Sequence, residues 1–429
     1  MTNVWGWCAA AVLAAMVLFS AAPAVAQNPG GGAASAPAVS TPDAPAVEPI
    51  KTLEIGKNRQ FIVNGKPFFP IMSWAQSAKN FARITKAAGF NTHCGGGDPN
   101  AAAAVGCYSV IGFKEAWAKD PYLLGWIHGD EPDMDRLKEP NNRSAGYRPK
   151  TPPEDVLANY QKIKEADKLH PVFVTFTGNF TSMDSKYDAA TRAKIYPAFV
   201  KAADVVGFDI YPIYGSGHAS HLDWVAKGVS ELRELGGPRP LYAWIETSKG
   251  SKWMTAEKQP PVLPMHTRAE VWMAIIRGAT AIGYFTHAWR PPPETSFAPL
   301  PEMQAEMKRL NAQITRLSAA ILADPAAAKI EMKLAGEGAD LHCHFKATQL
   351  DGATYIFAQN IDLGEGAEAL KQFDPITPRA GKATITVPGL KAGAKIEVVD
   401  EGRALTADDG KFTDDFAPLA EHVNRIPNK

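Results

Sequence analysis

Between residues 68 and 322 the chain alternates short apolar segments with amphipathic helical stretches, and this alternation constrains the fold more than any other feature. The predicted strands are residues 68–72, 90–93, 107–111, 122–128, 172–176, 205–210, 241–245 and 281–285, and the main predicted helices are 78–88, 152–169, 189–202, 222–235, 268–278 and 301–322. Strands that are apolar throughout are typical of a parallel sheet covered by helices. Eight such units in about 260 residues predict an α/β fold, the (β/α)8 or TIM barrel. The rival is a doubly wound open sheet, which usually has a Gly-rich turn after its first strand, but residues 72–76 contain no glycine.

Composition divides the rest of the chain into segments. Residues 1–26 are predicted to be an export signal, because an apolar run precedes the small-residue pattern Ala24-Val25-Ala26, and a retained membrane anchor is the alternative. A linker rich in Ala, Pro and Gly covers 27–49, and the barrel covers 50–323. Polar and apolar residues alternate from 324 to 429, which predicts a small antiparallel β-sandwich domain. We therefore expect an exported protein, either periplasmic or secreted.

The charges of the chain balance, with 45 Lys and Arg residues against 45 Asp and Glu residues. This balance gives no support to nucleic acid or an anionic membrane surface as a partner. A neutral substrate such as a carbohydrate is compatible with this charge balance. No sequence motif indicates a cofactor, and we expect none.

Polar residues follow several predicted strands at the end where barrel enzymes carry their chemistry. Asp130 and Glu131 follow the fourth strand, Asp209 and Tyr211 end the sixth, and Glu246 ends the seventh. Two carboxyl groups on strands four and seven would face each other across the barrel mouth. Glycoside hydrolysis needs such a pair, because one group must protonate the leaving oxygen while the other attacks or activates water. The sequence therefore predicts a glycosidase with Glu131 and Glu246 as its catalytic residues.

The same residues resemble the large clan of retaining glycoside hydrolases on (β/α)8 barrels, which contains cellulase-like enzymes and the family 42 β-galactosidases. The resemblance covers roughly residues 53–322 and implies that Glu131 is the acid/base and Glu246 the nucleophile. It also implies that Tyr211 contacts the nucleophile and that Trp289 lines a sugar subsite. One position departs from the clan, which usually has Asn before the acid/base where this chain has Asp130. An Asp still accepts a hydrogen bond from the sugar but adds a negative charge.

The residues predicted to bind substrate are Trp74, His93, His128, Asp130, Asp209, Tyr211, Trp244, His287 and Trp289. Simpler structural roles are open for several of them. Glu131 could stabilise a helix N-terminus, Asp209 could pair with a buried Arg, and Tyr211 could serve packing alone.

The sequence leaves two alternative functions and one possible disulfide undecided. The chain could be a non-catalytic carbohydrate-binding protein, or a metal-dependent hydrolase that uses histidines near strand ends together with Asp130 and Asp209. Those histidines are His93, His128, His218, His221 and His287. The two-carboxylate mechanism itself needs no metal. Cys94 and Cys107 either form a disulfide or are two small buried thiols.

Overall fold

A computed structural model describes residues 47–290 and 293–428. Its first thirteen strands are β1 (Leu53–Ile55), β2 (Phe61–Val63), β3 (Lys66–Phe68), β4 (Ile71–Trp74), β5 (Thr92–Cys94), β6 (Tyr108–Gly112), β7 (Leu123–Ile127), β8 (Asp135–Glu139), β9 (Asn142–Pro149), β10 (Val172–Thr177), β11 (Val205–Asp209), β12 (Leu241–Glu246) and β13 (Ala281–Phe285). The helices are α1 (Phe81–Ala88), α2 (Pro99–Ala103), α3 (Pro153–Ala166), α4 (Ala189–Lys201), α5 (Trp224–Gly236), α6 (Pro264–Arg277) and α7 (Pro301–Ile321).

Eight of these strands close into a parallel barrel in the order β4, β5, β6, β7, β10, β11, β12, β13 and back to β4. Each predicted strand overlaps one of them, so the predicted barrel is confirmed. The first prediction is displaced, because Phe68 ends the preceding strand β3 and the barrel strand begins only at Ile71. The third unit is the least regular, because a short 3-10 turn at Glu115–Trp117 stands where a helix is expected.

The interior of the barrel is a packed core. Met72, Cys94, Tyr242 and Trp244 belong to one buried apolar cluster inside the barrel, which the side chains of β2 extend. Phe61 of β2 stacks on Phe173 of β10, with ring centroids 5.8 Å apart. The small antiparallel sheet β1–β3 thus closes the end of the barrel at which the parallel strands begin, and the opposite end stays available for chemistry.

The two cysteines do not form a disulfide, and both are free buried thiols. Cys94 packs inside the barrel, whereas Cys107 belongs to the cluster between barrel and helices and donates to the carbonyl oxygen of Phe90 at 3.3 Å. The disulfide alternative is wrong because the two side chains lie on opposite faces of the barrel wall.

A second domain of antiparallel sheets follows the barrel, as predicted. Its strands are β14 (Asp324–Pro325), β15 (Glu331–Gly336), β16 (Ala339–Leu341), β17 (Cys343–Leu350), β18 (Ala353–Asn360), β19 (Gly381–Thr386), β20 (Lys395–Val398), β21 (Arg403–Thr406), β22 (Lys411–Phe416) and β23 (Glu421–Pro427). One sheet has the order β14-β17-β18-β23-β20-β21 and the other β16-β15-β19-β22. Apolar residues of both sheets, among them Leu334, Ile356 and Phe412, form one core between them.

The β domain packs on the last two barrel helices. Trp272 of α6 stacks on Phe357 of β18 at 6.0 Å between ring centroids, and Gln359 donates to the carbonyl oxygen of Ala269 at 3.0 Å. Thr348 of β17 donates to the carbonyl oxygen of Ala320 at 2.7 Å. The C-terminal end of α7 therefore receives hydrogen bonds from the β domain.

Within the described part of the chain, no helix combines the length and the apolar character needed to span a membrane. The predicted signal at 1–26 lies outside the described residues, and so does most of the predicted linker.

Candidate active site

The turn after β7 presents Glu131 at the barrel mouth in an unusual conformation. Glu131 has φ 46°, which lies in the left-handed region that a non-glycine residue adopts at some energetic cost. The turn is held on its far side, where Thr151 N–H donates to the Pro132 carbonyl oxygen at 2.9 Å and the Lys150 ammonium donates to the Asp130 carbonyl oxygen. Strained backbone of this kind is common at functional sites because the surrounding structure must fix it.

Asp133 fixes the other end of this turn and has no access to solvent. Its carboxylate accepts from the Thr177 N–H and hydroxyl, both at 2.9 Å, and from the Tyr196 hydroxyl at 2.7 Å. These bonds join the turn after β7 to the end of β10 and to α4. Asp133 is therefore a structural anchor for Glu131.

Glu131 and Asp209 contact each other through their carboxyl groups, and together they line a cleft of about 260 Å³. No other side chain or amide of the described residues donates to Oδ1 of Asp209. Burial, followed by the charges of Glu131 and Asp130, raises the pKa of Asp209 well above its usual value. Two carboxylates in contact cannot both be ionised, so this pair holds a shared proton near neutral pH.

Asp130 precedes Glu131 in the turn after β7, and its charge acts on Asp209. Burial and the neighbouring charge of Glu131 raise the pKa of Asp130 to about 6, while the ammonium groups of Lys150 and Lys252 act in the opposite direction. The mouth of the barrel is thus acidic, with two lysines at its rim.

Aromatic rings form the walls of the cleft. Tyr211, Trp224 and Trp253 line it, and Trp253 has 58% of its surface exposed. The Lys252 ammonium lies over the rings of Trp253 and Trp289, at 5.4 and 4.9 Å from their centroids. Exposed indole faces beside carboxyl groups suit a sugar ring, whose C–H faces stack on aromatic rings while its hydroxyls form hydrogen bonds.

Glu246 ends β12 as predicted, but it is fully buried. Its carboxylate accepts from the Ile213 N–H at 2.9 Å and from the Tyr214 N–H at 2.6 Å, and it also contacts the carboxyl group of Glu270 on α6. Burial raises the pKa of Glu246 to about 7, although these hydrogen bonds favour its ionised form. Burial and the charge of Glu246 raise the pKa of Glu270 further, so Glu270 carries the proton of the pair and donates it to Glu246.

Three predicted substrate-binding residues do not face the cleft. His93 lies between barrel and α1, where it bonds Ser73 at 2.7 Å and stacks on Phe81 at 3.7 Å. His128 bonds the Ala202 carbonyl oxygen at 2.7 Å on the helical side of the wall. Trp244 is buried inside the barrel and donates to the Thr175 hydroxyl at 3.2 Å. We correct their predicted role to packing and structural hydrogen bonding.

The remaining predicted residues do lie near the mouth. Trp74 is half-buried and packs edge-on against Trp244 at 5.0 Å, so it covers the interior core. His287 is buried between Phe285 and Trp289, at 5.3 and 5.6 Å from their rings, and burial lowers its pKa to about 4. Tyr211 packs on Phe285 at 5.0 Å. Burial, followed by the charges of its acidic neighbours, raises the pKa of Tyr211. The described residues contain no hydrogen bond from Tyr211 to Glu246.

The histidines of the metal hypothesis are not brought together. His218, His221 and Trp224 form a stack of rings, with centroids 4.6 and 3.9 Å apart, whereas His93 and His128 lie in the wall. Among residues 47–290 and 293–428, no group of three or more His, Cys, Asp or Glu residues has a geometry that could hold a metal ion.

Comparison with solved structures places the fold. The barrel is one that glycoside hydrolases use. An α-amylase from Geobacillus thermoleovorans, solved in complex with acarbose, matches 84% of this chain and 98% of its own with a TM-score of 0.50 and 10% identity. A family 5 mannosidase from Rhizomucor miehei matches 63% of this chain and 99% of its own at 10% identity and a TM-score of 0.43. A family 30 endoxylanase from Clostridium papyrosolvens matches 88% of this chain and 99% of its own, at 11% identity and a TM-score of 0.42.

At about 10% identity, the match to the α-amylase shows a shared fold and nothing finer. No protein-family model matches the chain. No curated protein matches it in sequence either.

Several functional side chains were not anticipated from the sequence. Lys150 and Lys252 reach the mouth from the loops after strands four and seven, and nothing in their local sequence marks them. Glu270 did leave a signal, because a lone carboxyl stands between Ala269 and Val271 in the predicted helix 268–278, where most residues are apolar. A carboxyl group buried at such a position must be protonated or hydrogen-bonded, and Glu270 donates its proton to Glu246.

Proposed function

We propose that this protein is a glycoside hydrolase that cleaves an O-glycosidic bond in an oligo- or polysaccharide. The observation that carries the proposal is the pair of contacting carboxyl groups, Glu131 and Asp209, in an aromatic-lined cleft at the strand ends of the barrel. The fold shared with an α-amylase supports it. Cleavage of a glycosidic bond requires one protonated and one ionised carboxyl group at the same site.

Glu131 is assigned the acid/base role. It shares a proton with Asp209 and is only half-buried, so it can deliver that proton to a leaving oxygen that enters the cleft. Asp209 holds this proton in the resting state because its pKa is raised well above its usual value, and it passes the proton to Glu131 through their carboxyl contact as the leaving oxygen departs. After the glycosidic bond breaks, the ionised Glu131 can take a proton from water.

Glu246 remains the proposed nucleophile of a retaining mechanism, and its surroundings set a condition on that role. Its carboxylate now binds the amides of Ile213 and Tyr214 and has no exposed surface. To attack an anomeric carbon it must exchange these amides for the substrate, so the loop after β11 has to move when sugar binds. The hydrogen-bond donors that hold Glu246 also keep it ready as an anion.

Asp209 is the alternative nucleophile, because it already faces the cleft. A retaining pair stands about 5–5.5 Å apart, so a sugar would have to part Asp209 from Glu131 before attack. This alternative needs no movement of the loop after β11.

Variants of the two carboxyls decide between these nucleophiles. A panel of aryl glycosides first identifies a substrate of the wild type, and Glu246→Ala and Asp209→Ala are then assayed with and without azide. We expect Glu246→Ala to lose at least about 10³-fold in kcat and to regain turnover with azide as a glycosyl azide product. If only Asp209→Ala regains turnover with azide, Asp209 and not Glu246 is the nucleophile. Glu302→Ala, an exposed change at the start of α7, is the matched control.

A further inference from the structure

A second cavity lies far from the mouth, where the β domain meets the closed end of the barrel. Its volume is about 320 Å³. The turn before β2, the C-terminal ends of α6 and α7, and β17 all contribute to its lining. Three of its lining side chains, Arg59, Arg233 and Lys346, define what we call the basic cavity.

The cations of the basic cavity lack acidic partners. Neither Arg59, Arg233 nor Lys346 forms an ion pair with any carboxylate of the described residues. Lys57 also lines the cavity, but its charge is paired, since Asp324 binds Lys57 at 2.8 Å and the Asn58 side-chain amide at 2.7 Å. Unpaired charges of one sign around a cavity form a ready site for an ion of the opposite sign.

The three cations also act on one another. Burial, and after it the charge of Arg233, lower the pKa of Lys346 to about 8. Burial is also the main cause that lowers the pKa of Arg59 and that of Arg277 at the end of α6, and the charge of Arg233 adds to the shift in both. Their mutual repulsion is a cost that a bound anion would remove.

The backbone leaves room for this arrangement. Gly278 follows α6 at φ 110°, and a Cβ atom there would lie 3.1–3.2 Å from the side chain of Arg233. The Lys346 ammonium donates to the Ile321 carbonyl oxygen at 2.7 Å, which leaves two of its three N–H donors for another acceptor.

We propose that the basic cavity binds a phosphate group. Two guanidinium groups and one ammonium suit the tetrahedral oxyanion, since guanidinium forks bind phosphate oxygens in pairs and ammonium adds a point charge. The group comes either as free phosphate or as the phosphate of a phosphorylated sugar, and the cavity has space for either. The site does not depend on glycosidase activity.

Calorimetric titration of the full chain tests the site. The probes are inorganic phosphate and glucose 6-phosphate, each titrated at constant ionic strength set with sodium chloride. The variants are Arg233→Gln and Arg59→Gln. Arg143→Gln is the matched control, because Arg143 is an exposed arginine on β9 without an ion pair among the described residues.

Saturable one-to-one binding is expected for at least one probe, and the tighter probe identifies the source of the phosphate. Arg233→Gln should weaken binding about tenfold or more, Arg59→Gln should weaken it as well, and Arg143→Gln should leave it unchanged. Without anion, Arg233→Gln should melt no lower than the wild type, because repulsion is relieved. Absence of saturable binding would overturn the proposal. A lower Tm of Arg233→Gln with unchanged affinity for phosphate would also overturn it, because Arg233 would then only stabilise the C-terminal end of α5.

Discussion

At the scale of single residues, the barrel mouth is built on two carboxyl pairs that each hold a proton. Glu131 and Asp209 face the cleft, whereas Glu246 and Glu270 lie beneath it without solvent contact. Both pairs hold a carboxyl group that ionises above its usual range, but only the first is placed to exchange a proton with a ligand. Glu246 of the second pair binds the amides of Ile213 and Tyr214 and so holds the loop that follows Asp209.

The buried pair makes stability depend on pH. The pKa of Glu246 is about 7 in the folded chain and near its usual value when unfolded, so the folded state binds the proton more tightly. The contribution of Glu246 to the unfolding free energy is fully present below pH 4.5 and is lost as the pH rises through about 7. Glu270, whose pKa burial and the charge of Glu246 raise well above its usual value, contributes to the same loss. Glu270→Gln removes the proton uptake of Glu270, so the loss should shrink by roughly 1–3 kcal/mol.

Urea denaturation at pH 5 and pH 8 measures this effect. The drop in unfolding free energy between the two values should be smaller for Glu270→Gln than for the wild type. Glu234→Gln, an exposed change on α5, should show the wild-type drop. An equal drop in all three proteins would mean that the Glu246–Glu270 pair does not take up a proton.

At the scale of elements, strand position was readable from the sequence but side-chain direction was not. A strand buried on both faces is apolar at every position, so its pattern does not tell which residues face the barrel interior. His93 and Cys94 are neighbours on β5, yet Cys94 faces inward and His93 faces α1. Glu131, Asp209 and Tyr211 were found because they lie at or just after the carboxyl ends of strands, the end at which a barrel carries its site.

Contacts that span long loops were also beyond the sequence. Lys150 reaches the Asp130 carbonyl oxygen only because the hairpin β8–β9 folds back and returns the chain to the turn. The burial of Glu246 depends on the loop at 213–214 and on α6, which come together through the barrel alone.

The turn after β7 should depend on its anchor. Asp133→Ala leaves the Thr177 amide and the Tyr196 hydroxyl without their buried acceptor, so we expect the unfolding free energy to fall by about 2–5 kcal/mol. Asp135→Ala, which loses one bond from the Asn179 side chain at a half-buried site, should cost less than about 1 kcal/mol. Urea denaturation at pH 7 compares the two, and equal losses would remove Asp133 from the role of anchor.

At the scale of the whole molecule, barrel and β domain share a core. Phe357, Leu419 and Val423 of the β domain belong to the same buried cluster as the barrel helices. The alternation of polar and apolar residues after 324 predicted the second domain, but it could not predict this joint core, because a β strand shows only which face is apolar and not what covers it.

The shared core predicts cooperative unfolding. Phe357→Ala removes the ring that stacks on Trp272, and should lower the unfolding free energy by about 3–5 kcal/mol. Calorimetry should show one transition in the wild type and one, shifted to lower temperature, in the variant. Two separate transitions, with only one of them shifted, would show that the domains unfold independently.

The central claim is that Glu131 protonates the leaving oxygen of a glycoside in the cleft, and Glu131→Gln tests it most directly. The variant is compared with the wild type on two substrates of the same sugar, one with a poor leaving group and one with an activated aryl leaving group. We predict a loss of about 10²–10⁴-fold in kcat/KM for the poor leaving group and a much smaller loss for the activated one, which needs no proton. Equal losses on both substrates, or no loss on either, would contradict the account.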